Sequence, residues 1–311
     1  MPKRREFLIA VAALAAARAV ARPPKRRVGH LVAIGGAEDR REDMQVLRRF
    51  VELCGAPSPA IAVMTAASGV PDLSWTSCER AFMALGAGHC VPLDMRTREE
   101  ADDPRAVETI LSVDGIFLTG GDQRRLMAVT GGSATQRALQ QAYRERGACI
   151  GGTSAGAAAL SLHMLAEGRN PALPEKDAAR LDQGLALLPG AIIDQHFSER
   201  RRLGRLLSAL AQRPQALGIG IDEDTALVVE QGRGIEVVGR GVVTLLDGRG
   251  MGSNVAQAAA SERLEMLGVR MHLLPAGNRY AVEADGRDTR DVPASLRRAV
   301  SLLAAAPETA D

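Results

Sequence analysis

Aromatic side chains are scarce in this chain, whose 311 residues include one Trp, two Tyr and five Phe. The many Ala, Val, Leu and Gly residues favour a core packed from small aliphatic side chains. This composition suits a single α/β domain. A chain of this length buries a core that needs no disulfide or metal to hold it together.

Cysteine and histidine lack the spacing of a metal site. Cys54, Cys78, Cys90 and Cys149 form no Cys-x-x-Cys pair, and each lies in an apolar or helical stretch. This pattern indicates buried thiols. The five histidines are dispersed as well, so we expect neither a metal centre nor an organic cofactor.

The apolar run at the N-terminus is too short for a membrane anchor. It follows Lys3-Arg4-Arg5 and ends at Ala17, whereas a membrane-spanning helix needs about 20 apolar residues. Ala19 and Ala21 have the spacing that a signal peptidase accepts, and Pro23-Pro24 follows. These features predict a twin-arginine export signal cut near Ala21, and hence a periplasmic or secreted protein.

A strong excess of one charge is also absent. Removing residues 1–21 takes away four basic residues and one acid, which lowers the formal net charge from +2 to about −1. This balance provides no basic surface for nucleic acid. We divide the chain into the signal at 1–21, a short linker at 22–28, a single domain at 29–287 and a polar tail at 288–311.

Short apolar runs that end in glycine or polar residues alternate with helical patterns. This alternation predicts an α/β fold with a mainly parallel central sheet flanked by helices. The segments 225–243 and 269–274 predict an antiparallel β extension, 199–213 predicts a basic amphipathic helix, and 167–182 predicts an irregular surface loop. The predicted strands are 29–34, 60–64, 89–93, 115–118, 148–152, 191–194 and 217–221.

Polar and glycine-rich segments stand at the carboxyl ends of these strands. In an open α/β sheet, ligands bind beyond that edge. We therefore expect five strand ends to meet at one site: Gly35-Gly36, Thr65–Ser68, Gly120–Gln123, Ser154 and Gln195-His196.

The pattern Gly152-x-Ser154-x-Gly156 places a serine in a glycine turn between an apolar strand and an alanine-rich helix. Small neighbours allow a sharp turn that exposes the hydroxyl at the strand end, as a nucleophile requires. In the alternative interpretation the glycines only relieve crowding, and Ser154 caps the helix.

A serine nucleophile needs a base, and His196 is the best placed histidine because it follows a predicted strand. His163 falls inside the helix expected after Ser154, where it would face away. The base needs a carboxylate partner, for which Glu223 at the end of the 217–221 strand is well placed. Spacing leaves other acids open, namely Asp194, Asp222, Glu167, Glu175 and Asp177.

Donors for a developing negative charge are expected at two turns. These are the backbone N–H of Ala155 and one from the Gly120-Gly121 turn, with Gly121 as the candidate.

The segment 199–205 is rich in arginine. Arginine at a site favours carboxylate recognition by its planar fork, although helical spacing would turn some of these side chains to solvent. A pocket of both signs, suited to a zwitterionic substrate, would combine Arg200 with Asp194, Gln195 and Gln123.

Four motifs together resemble the cyanophycinases: Ile34-Gly-Gly-Ala-Glu-Asp39, Phe117-Leu-Thr-Gly-Gly-Asp-Gln123, Gly152-Thr-Ser-Ala-Gly-Ala157 and Asp194-Gln-His-Phe-Ser-Glu-Arg200. The resemblance covers about 29–274. It implies a serine-type exopeptidase, related to the aspartyl dipeptidases, with a flavodoxin-like fold similar to class I glutamine amidotransferases.

The resemblance also implies a substrate and roles for residues. The substrate would be cyanophycin, a polyaspartate with an arginine on each β-carboxyl, which a homodimer cleaves to β-Asp-Arg dipeptides. The nucleophile falls on Ser154 and the base on His196, and Glu223 is favoured as the third member. The implied substrate-binding positions are Gln123, Asp194, Gln195, Arg200, Arg202 and Arg205.

The chain departs from the family pattern at two places. The proline that is usual before the threonine is absent from Met64-Thr-Ala-Ala-Ser68, and the segment 167–182 diverges. A changed pocket wall would admit other β-aspartyl peptides, so a narrower aspartyl or isoaspartyl dipeptidase is a second hypothesis. A third is a periplasmic binding protein for arginine-rich or acidic ligands, in which the serine turn has no chemical role.

Overall fold

The computed structural model of the protein describes residues 28–282 and 292–305. The expected export signal at 1–21, nearly all of the linker and parts of the 288–311 segment lie outside these ranges. Within them, none of the helices has both the length and the apolar character needed to cross a bilayer.

Strands and helices alternate through the first half of the chain, as βαβ units require. The strands are β1 (His30–Ile34), β2 (Ala60–Met64), β3 (His89–Leu93), β4 (Gly115–Leu118), β5 (Cys149–Thr153), β6 (His163–Gly168), β7 (Ala179–Gln183), β8 (Ala191–Gln195), β9 (Leu217–Ile221), β10 (Thr225–Glu230), β11 (Gly234–Gly239), β12 (Val242–Asp247), β13 (Gly252–Ser253), β14 (Met266–Leu267), β15 (Arg270–Pro275) and β16 (Arg279–Ala281). The helices are α1 (Gln45–Leu53), α2 (Pro71–Ala84), α3 (Arg98–Ala101), α4 (Pro104–Ser112), α5 (Gln123–Thr130), α6 (Ala134–Gln141), α7 (Ala155–Ala159), α8 (Leu203–Gln212) and α9 (Ala294–Ala304), with a π-helical turn at Ala142–Arg146.

The central sheet of the described chain has eight strands in the order β16-β11-β10-β1-β5-β4-β2-β3. The pairs from β1 to β3 along this order are parallel. The pairs from β16 to β1 are antiparallel. The predicted α/β class, with a mainly parallel central sheet and an antiparallel C-terminal extension, is confirmed. β5 lies between two parallel neighbours near the middle of this sheet.

A second sheet of four strands has the order β15-β12-β9-β8, in which β8 and β9 are parallel. The sequence did not separate these strands from the central sheet. In β9, Gly218 and Gly220 alternate with bulkier residues, and a Cβ on Gly220 would come within 2.5 Å of the Phe197 ring. Residues 222–224 then lead from β9 to β10 in the central sheet, so this short turn joins the two sheets.

Three of the five phenylalanines pack together on one face of the central sheet. Phe50, Phe82 and Phe117 have ring centroids 5.1 to 5.5 Å apart. A Cβ on Gly151 of β5 would lie 2.8 Å from the Phe50 ring and 3.0 Å from the Phe117 ring. Glycine therefore lets β5 approach the aromatic cluster, while the opposite face is packed mainly with Ala, Val, Leu and Ile.

The helix after Ser154 is shorter than the sequence predicted. α7 ends at Ala159, and the Leu160 carbonyl accepts hydrogen bonds from the N–H groups of Leu187 and Leu188. The chain therefore leaves the helix, and His163 begins β6 instead of lying on a helix. The predicted loop 167–182 is likewise folded in part, because β6 and β7 pair as a hairpin around a shorter irregular segment.

Two helices near the C-terminal half also differ from prediction. α8 begins at Leu203 rather than at 199, because Arg201 has a φ of +52° that no right-handed helix accommodates. The segment expected to be a polar tail contains α9. Its apolar residues have the spacing of one helix face and are buried against the sheet, namely Leu296, Ala299, Val300 and Leu303.

Candidate active site

Ser154 occupies the turn between β5 and α7 with φ +51° and ψ −110°. L residues rarely adopt this conformation, and holding it costs on the order of 1–3 kcal/mol. The same strained strand-to-helix turn exposes the serine of other hydrolases. Because β5 is central and parallel to both neighbours, the hydroxyl lies at the carboxyl edge of the sheet.

The two flanking glycines are required by close packing. A Cβ on Gly152 would lie 2.5 Å from the carbonyl carbon of Gly156, and a Cβ on Gly156 would lie 2.4 Å from the Leu118 carbonyl oxygen. The turn therefore packs backbone against backbone at the end of β4.

His196 follows β8 and reaches the serine from the second sheet. Its Nε2 lies 2.9 Å from Ser154 Oγ, and its backbone N–H donates to the Gly35 carbonyl at 2.8 Å. Gly36 has a φ of +100°, and a Cβ there would lie 2.4 Å from the Cε1 atom of His196. The glycine turn after β1 therefore forms a close-fitting wall beside the imidazole.

Glu223 follows β9 and contacts the other ring nitrogen. Its Oε1 lies 2.6 Å from His196 Nδ1. With Nδ1 protonated and donating to the carboxylate, Nε2 is left to accept the serine proton. The side chains of His196 and Glu223 are 11% and 36% exposed, so the pair is only partly open to solvent.

The acids that spacing left open have other partners. Asp222 accepts hydrogen bonds from the N–H groups of Ser198 and Val242. Glu167 pairs with Arg124 and Arg180, and Glu175 pairs with Arg169. Asp177 lies in the β6–β7 hairpin loop with a φ of +60°. Of the acids considered, Glu223 is the one whose carboxylate the described structure places on His196.

The turn after β4 comes close to the serine. A Cβ on Gly120 would lie 3.4 Å from Ser154 Cβ, and Gly121 has a φ of +143° with no room for a side chain beside the Ala67 carbonyl. Ala155, the first residue of α7, is fully buried. Both expected oxyanion donors therefore belong to backbone segments that adjoin Ser154.

The predicted substrate residues Asp194, Gln195, Arg202 and Arg205 contact one another. Asp194 is fully buried and accepts from Arg205 Nε at 3.0 Å and from Arg205 Nη2. Arg202 Nη1 lies 3.2 Å from Asp194 Oδ1 and 3.3 Å from Gln195 Oε1. Burial lowers the pKa of Arg202 to about 10. This cluster is an internal ion-pair network beneath the turn that carries His196.

Arg200 and Gln123 have different surroundings. Arg200 is exposed, and its backbone N–H donates to the His196 carbonyl at 3.1 Å. Gln123 Nε2 donates to the carbonyls of Leu165 and Ala166 at 3.0 and 2.7 Å. The Gln123 amide therefore fastens the first turn of α5 to β6.

A cavity of about 390 Å³ opens beside Ser154 and His196. Four of the five predicted strand-end segments contribute to its lining, through Ser68, Gly120-Gly121, Ser154 and His196. After β1 the lining residues are Ala37, Glu38 and Arg40 rather than the predicted Gly35-Gly36. Sequence reasoning assigned no role to Glu38 or to its neighbour Arg40. Their position just beyond a glycine turn at a strand end was the available signal.

Within the described ranges, no group of three or more His, Cys, Asp or Glu residues is placed to hold a metal ion. The hydrogen-bonded series Ser154–His196–Glu223 at a strained strand-to-helix turn is the arrangement of a serine hydrolase.

Comparison with known proteins narrows this class. The model of peptidase family S51 matches residues 31–237. The chain is 38% identical over 251 residues to a cyanophycinase of Geminocystis herdmanii, covering 80% of this chain and 92% of the relative. It is 36% identical over 260 residues to a cyanophycinase of Nostoc sp., covering 83% and 87%. The chain belongs to peptidase family S51 and is a serine-type peptidase, as its motifs predicted.

The fold has a counterpart among solved structures. A peptidase from an acI-B1 actinobacterium superimposes with a TM-score of 0.63 at 20% identity, over 82% of this chain and 98% of that one.

Proposed function

We propose that this protein is an exported serine-type exopeptidase that hydrolyses cyanophycin to β-Asp-Arg dipeptides. The observation that carries the proposal is the hydrogen-bonded series Ser154–His196–Glu223. The identity to cyanophycinases over four-fifths of the chain supports the choice of substrate.

In the proposed reaction, Ser154 Oγ attacks the backbone carbonyl of a terminal aspartyl unit while His196 Nε2 takes its proton. The peptide bond breaks as His196 returns that proton to the leaving amine, which leaves an acyl-enzyme on Ser154. Water then attacks the ester with His196 as base, and the serine is regenerated. Glu223 holds the imidazole in the required tautomer and stabilises its charged form.

The oxyanion of each tetrahedral intermediate would accept hydrogen bonds from the N–H groups of Ala155 and Gly121. Fixed backbone donors of this kind stabilise a developing charge without reorganising. The closeness of the Gly120 position to Ser154 supports this assignment.

Substrate recognition is proposed for Gln123 and for residues of the segment 194–205 around His196. Arg200 is exposed on the turn after the base and is suited to a substrate carboxylate. Gln123 has an amide oxygen to offer to a guanidinium, whereas Gln195 Oε1 already lies 3.3 Å from Arg202 Nη1 and is assigned a supporting role. Asp194, Arg202 and Arg205 are buried and paired with one another. We therefore assign them to supporting the wall of the substrate site, where only the exposed edge of the wall contacts the substrate.

Two further parts of the proposal concern location and assembly. The twin-arginine segment directs the folded chain across the membrane, and cleavage near Ala21 releases it. The mature chain acts as a homodimer.

Product analysis tests the proposed activity. The mature chain from residue 22 is incubated with insoluble cyanophycin and, separately, with short β-aspartyl and α-aspartyl peptides, and products are identified by mass spectrometry. We expect the parent protein to clear the polymer and release β-Asp-Arg. The Ser154→Ala and Glu223→Gln variants should release the dipeptide at no more than about one-thousandth of the parent rate. Cleavage restricted to short peptides would assign the protein to the dipeptidases instead.

A further inference from the structure

The cavity beside Ser154 has a charged wall. Glu38 and Arg40 form an ion pair there, in which Arg40 Nε lies 3.0 Å from Glu38 Oε1 and Nη2 contacts the same oxygen. The Glu38 side chain is 2% exposed and the Arg40 side chain 24%. Both residues line the cavity, so the accessible member of the pair is the cation.

The carboxylate of this pair is fully occupied. Glu38 Oε1 accepts from Arg40, and Oε2 accepts from the Thr153 hydroxyl. A buried carboxylate with both oxygens engaged has little left to offer a cationic ligand. The cavity therefore does not present the negative charge of Glu38 to a substrate guanidinium.

The guanidinium is held in place from its other side. Arg40 Nη1 donates to Ser77 Oγ at 3.2 Å and to Cys78 Sγ at 3.4 Å, both on α2. Burial by itself lowers the pKa of Arg40, but the charge of Glu38 and the contacts with Cys78 raise it above its ordinary value. Arg40 is thus a fixed, permanently charged donor at the cavity.

Hydroxyl donors surround the same space. Ser68 Oγ and Ser74 Oγ lie 2.8 Å apart, and Ser68 Oγ also accepts from the Val70 N–H. The two hydroxyls have two protons and share one hydrogen bond, so one proton has no acceptor among the described contacts. Thr119 Oγ1 is buried and has no hydrogen-bond partner among the described residues. All three residues line the cavity.

We propose that Arg40, with the hydroxyls of Ser68, Ser74 and Thr119, forms a subsite that binds a carboxylate of the substrate beside Ser154. This inference rests on the proposed function, because it names the substrate group held on this side of the scissile bond. A guanidinium cation and hydroxyl groups with free protons donate hydrogen bonds to a carboxylate. Arg202 and Arg205 are less suited to this role, since their side chains are only 8% and 7% exposed and neither lines the cavity.

Two carboxylates of a β-Asp-Arg unit could fill this subsite, that of the aspartyl backbone and that of the arginine branch. Ligands that separate them are β-Asp-Arg and its two monoamides, each carrying a carboxamide at one of these positions. Their affinities are measured by calorimetry on the Ser154→Ala protein, which cannot turn them over.

A double-mutant cycle isolates the contribution of Arg40. We expect one monoamide to bind about 10- to 100-fold more weakly than β-Asp-Arg when Arg40 is present. In an Arg40→Gln background, that difference should shrink to less than about threefold, and Arg40→Lys should restore part of it. The monoamide that responds identifies which carboxylate is bound.

Matched variants separate recognition from folding. Arg40→Gln leaves Glu38 buried without its cation, so the pair is also replaced together as Glu38→Gln/Arg40→Gln. Arg249→Gln is the control, because Arg249 covers Asp247 in the same manner, with side chains 20% and 3% exposed, and does not line the cavity. It should lower the melting temperature without changing the affinity ratio.

The proposal is overturned by either of two results. One is failure of β-Asp-Arg to bind the Ser154→Ala protein. The other is a ratio of affinities, β-Asp-Arg over each monoamide, that is the same with Arg40 and in the Arg40→Gln variant. Release of dipeptide from cyanophycin by the parent protein is measured separately. If the parent protein releases dipeptide but binding does not depend on Arg40, the subsite is refuted and the proposed function is retained. If binding depends on Arg40 but no dipeptide is released, only the proposed function is refuted.

Discussion

The hydroxyl of Thr153 donates to the carboxylate of Glu38, a residue 115 positions earlier in the chain. Thr153 is the last residue of β5 and directly precedes Ser154, whereas Glu38 lies beyond the end of β1. The serine turn is therefore attached to the cavity wall by a side-chain hydrogen bond as well as by the sheet.

Thr153→Val should test this attachment. The substitution keeps the shape of the side chain but leaves one oxygen of buried Glu38 without its donor, so we expect the free energy of unfolding to fall by about 1–3 kcal/mol and kcat to decrease. Thr153→Ser retains the hydroxyl and should keep most of kcat. Urea unfolding and steady-state rates measure both effects, and equal kcat values for the parent and Thr153→Val would show that the hydrogen bond does not position Ser154.

Gly36→Ala should disturb the imidazole. The new Cβ would overlap His196 Cε1, and a displacement of about 1 Å at a catalytic group can lower the rate about 100-fold. Gly86→Ala is the matched control, because Gly86 has a similar φ of +94° with nothing within 4 Å of the added Cβ. Both variants should lose stability through backbone strain, and only Gly36→Ala should lose kcat. Comparable kcat losses in the two would point to strain rather than contact.

Arg205→Leu and Arg200→Ala should separate structure from recognition. Removing Arg205 leaves fully buried Asp194 poorly compensated, and breaking a buried pair costs about 3–5 kcal/mol. Arg200 is exposed, so its removal should change stability by less than about 0.5 kcal/mol while raising KM about tenfold. Denaturant unfolding and KM are measured for each. A stable Arg205→Leu protein with a raised KM would reassign Arg205 to the substrate.

His30 should make the protein less stable in acid. Burial lowers the pKa of His30 below its ordinary value of 6.5, despite the opposing charge of Glu230. Below pH 6.5 the unfolded chain therefore binds a proton that the folded chain does not, so the free energy of unfolding falls as pH decreases. His30→Gln removes this group.

The measurement for His30 is the slope of unfolding free energy against pH between about pH 5 and 6.5. The slope should be shallower for His30→Gln than for the parent. Identical slopes would mean that His30 titrates alike in both states.

Continuous apolar runs explain which strands were predictable. β2, β3, β4 and β9 begin and end where the sequence placed them. β2, β4 and β9 are buried apolar runs that end before a polar residue. The second sheet is defined by the pairing of β9 with β8 and with β12, and these pairs join segments that are not adjacent in the chain. Strand pattern alone carries no such information.

The candidate site shows the same division. Ser154, His196 and Glu223, which the structure brings into one hydrogen-bonded series, were proposed from the sequence because each follows a predicted strand. The burial of Arg202 and Arg205 was not foreseen, because an arginine-rich stretch looks alike whether or not a buried acid such as Asp194 faces it. Glu38 was overlooked because the sequence does not show which side chains contact it. Its hydrogen bond with the Thr153 hydroxyl joins residues 115 positions apart.

The proposed nucleophile and its proposed base belong to different sheets. Ser154 follows β5 of the central sheet, while His196 and Glu223 follow β8 and β9 of the second sheet. Under the proposed mechanism, neither sheet alone holds enough of the site to move a proton from the serine. Peptidase activity should therefore require that the two sheets have docked, and a chain in which they have not docked should be inactive.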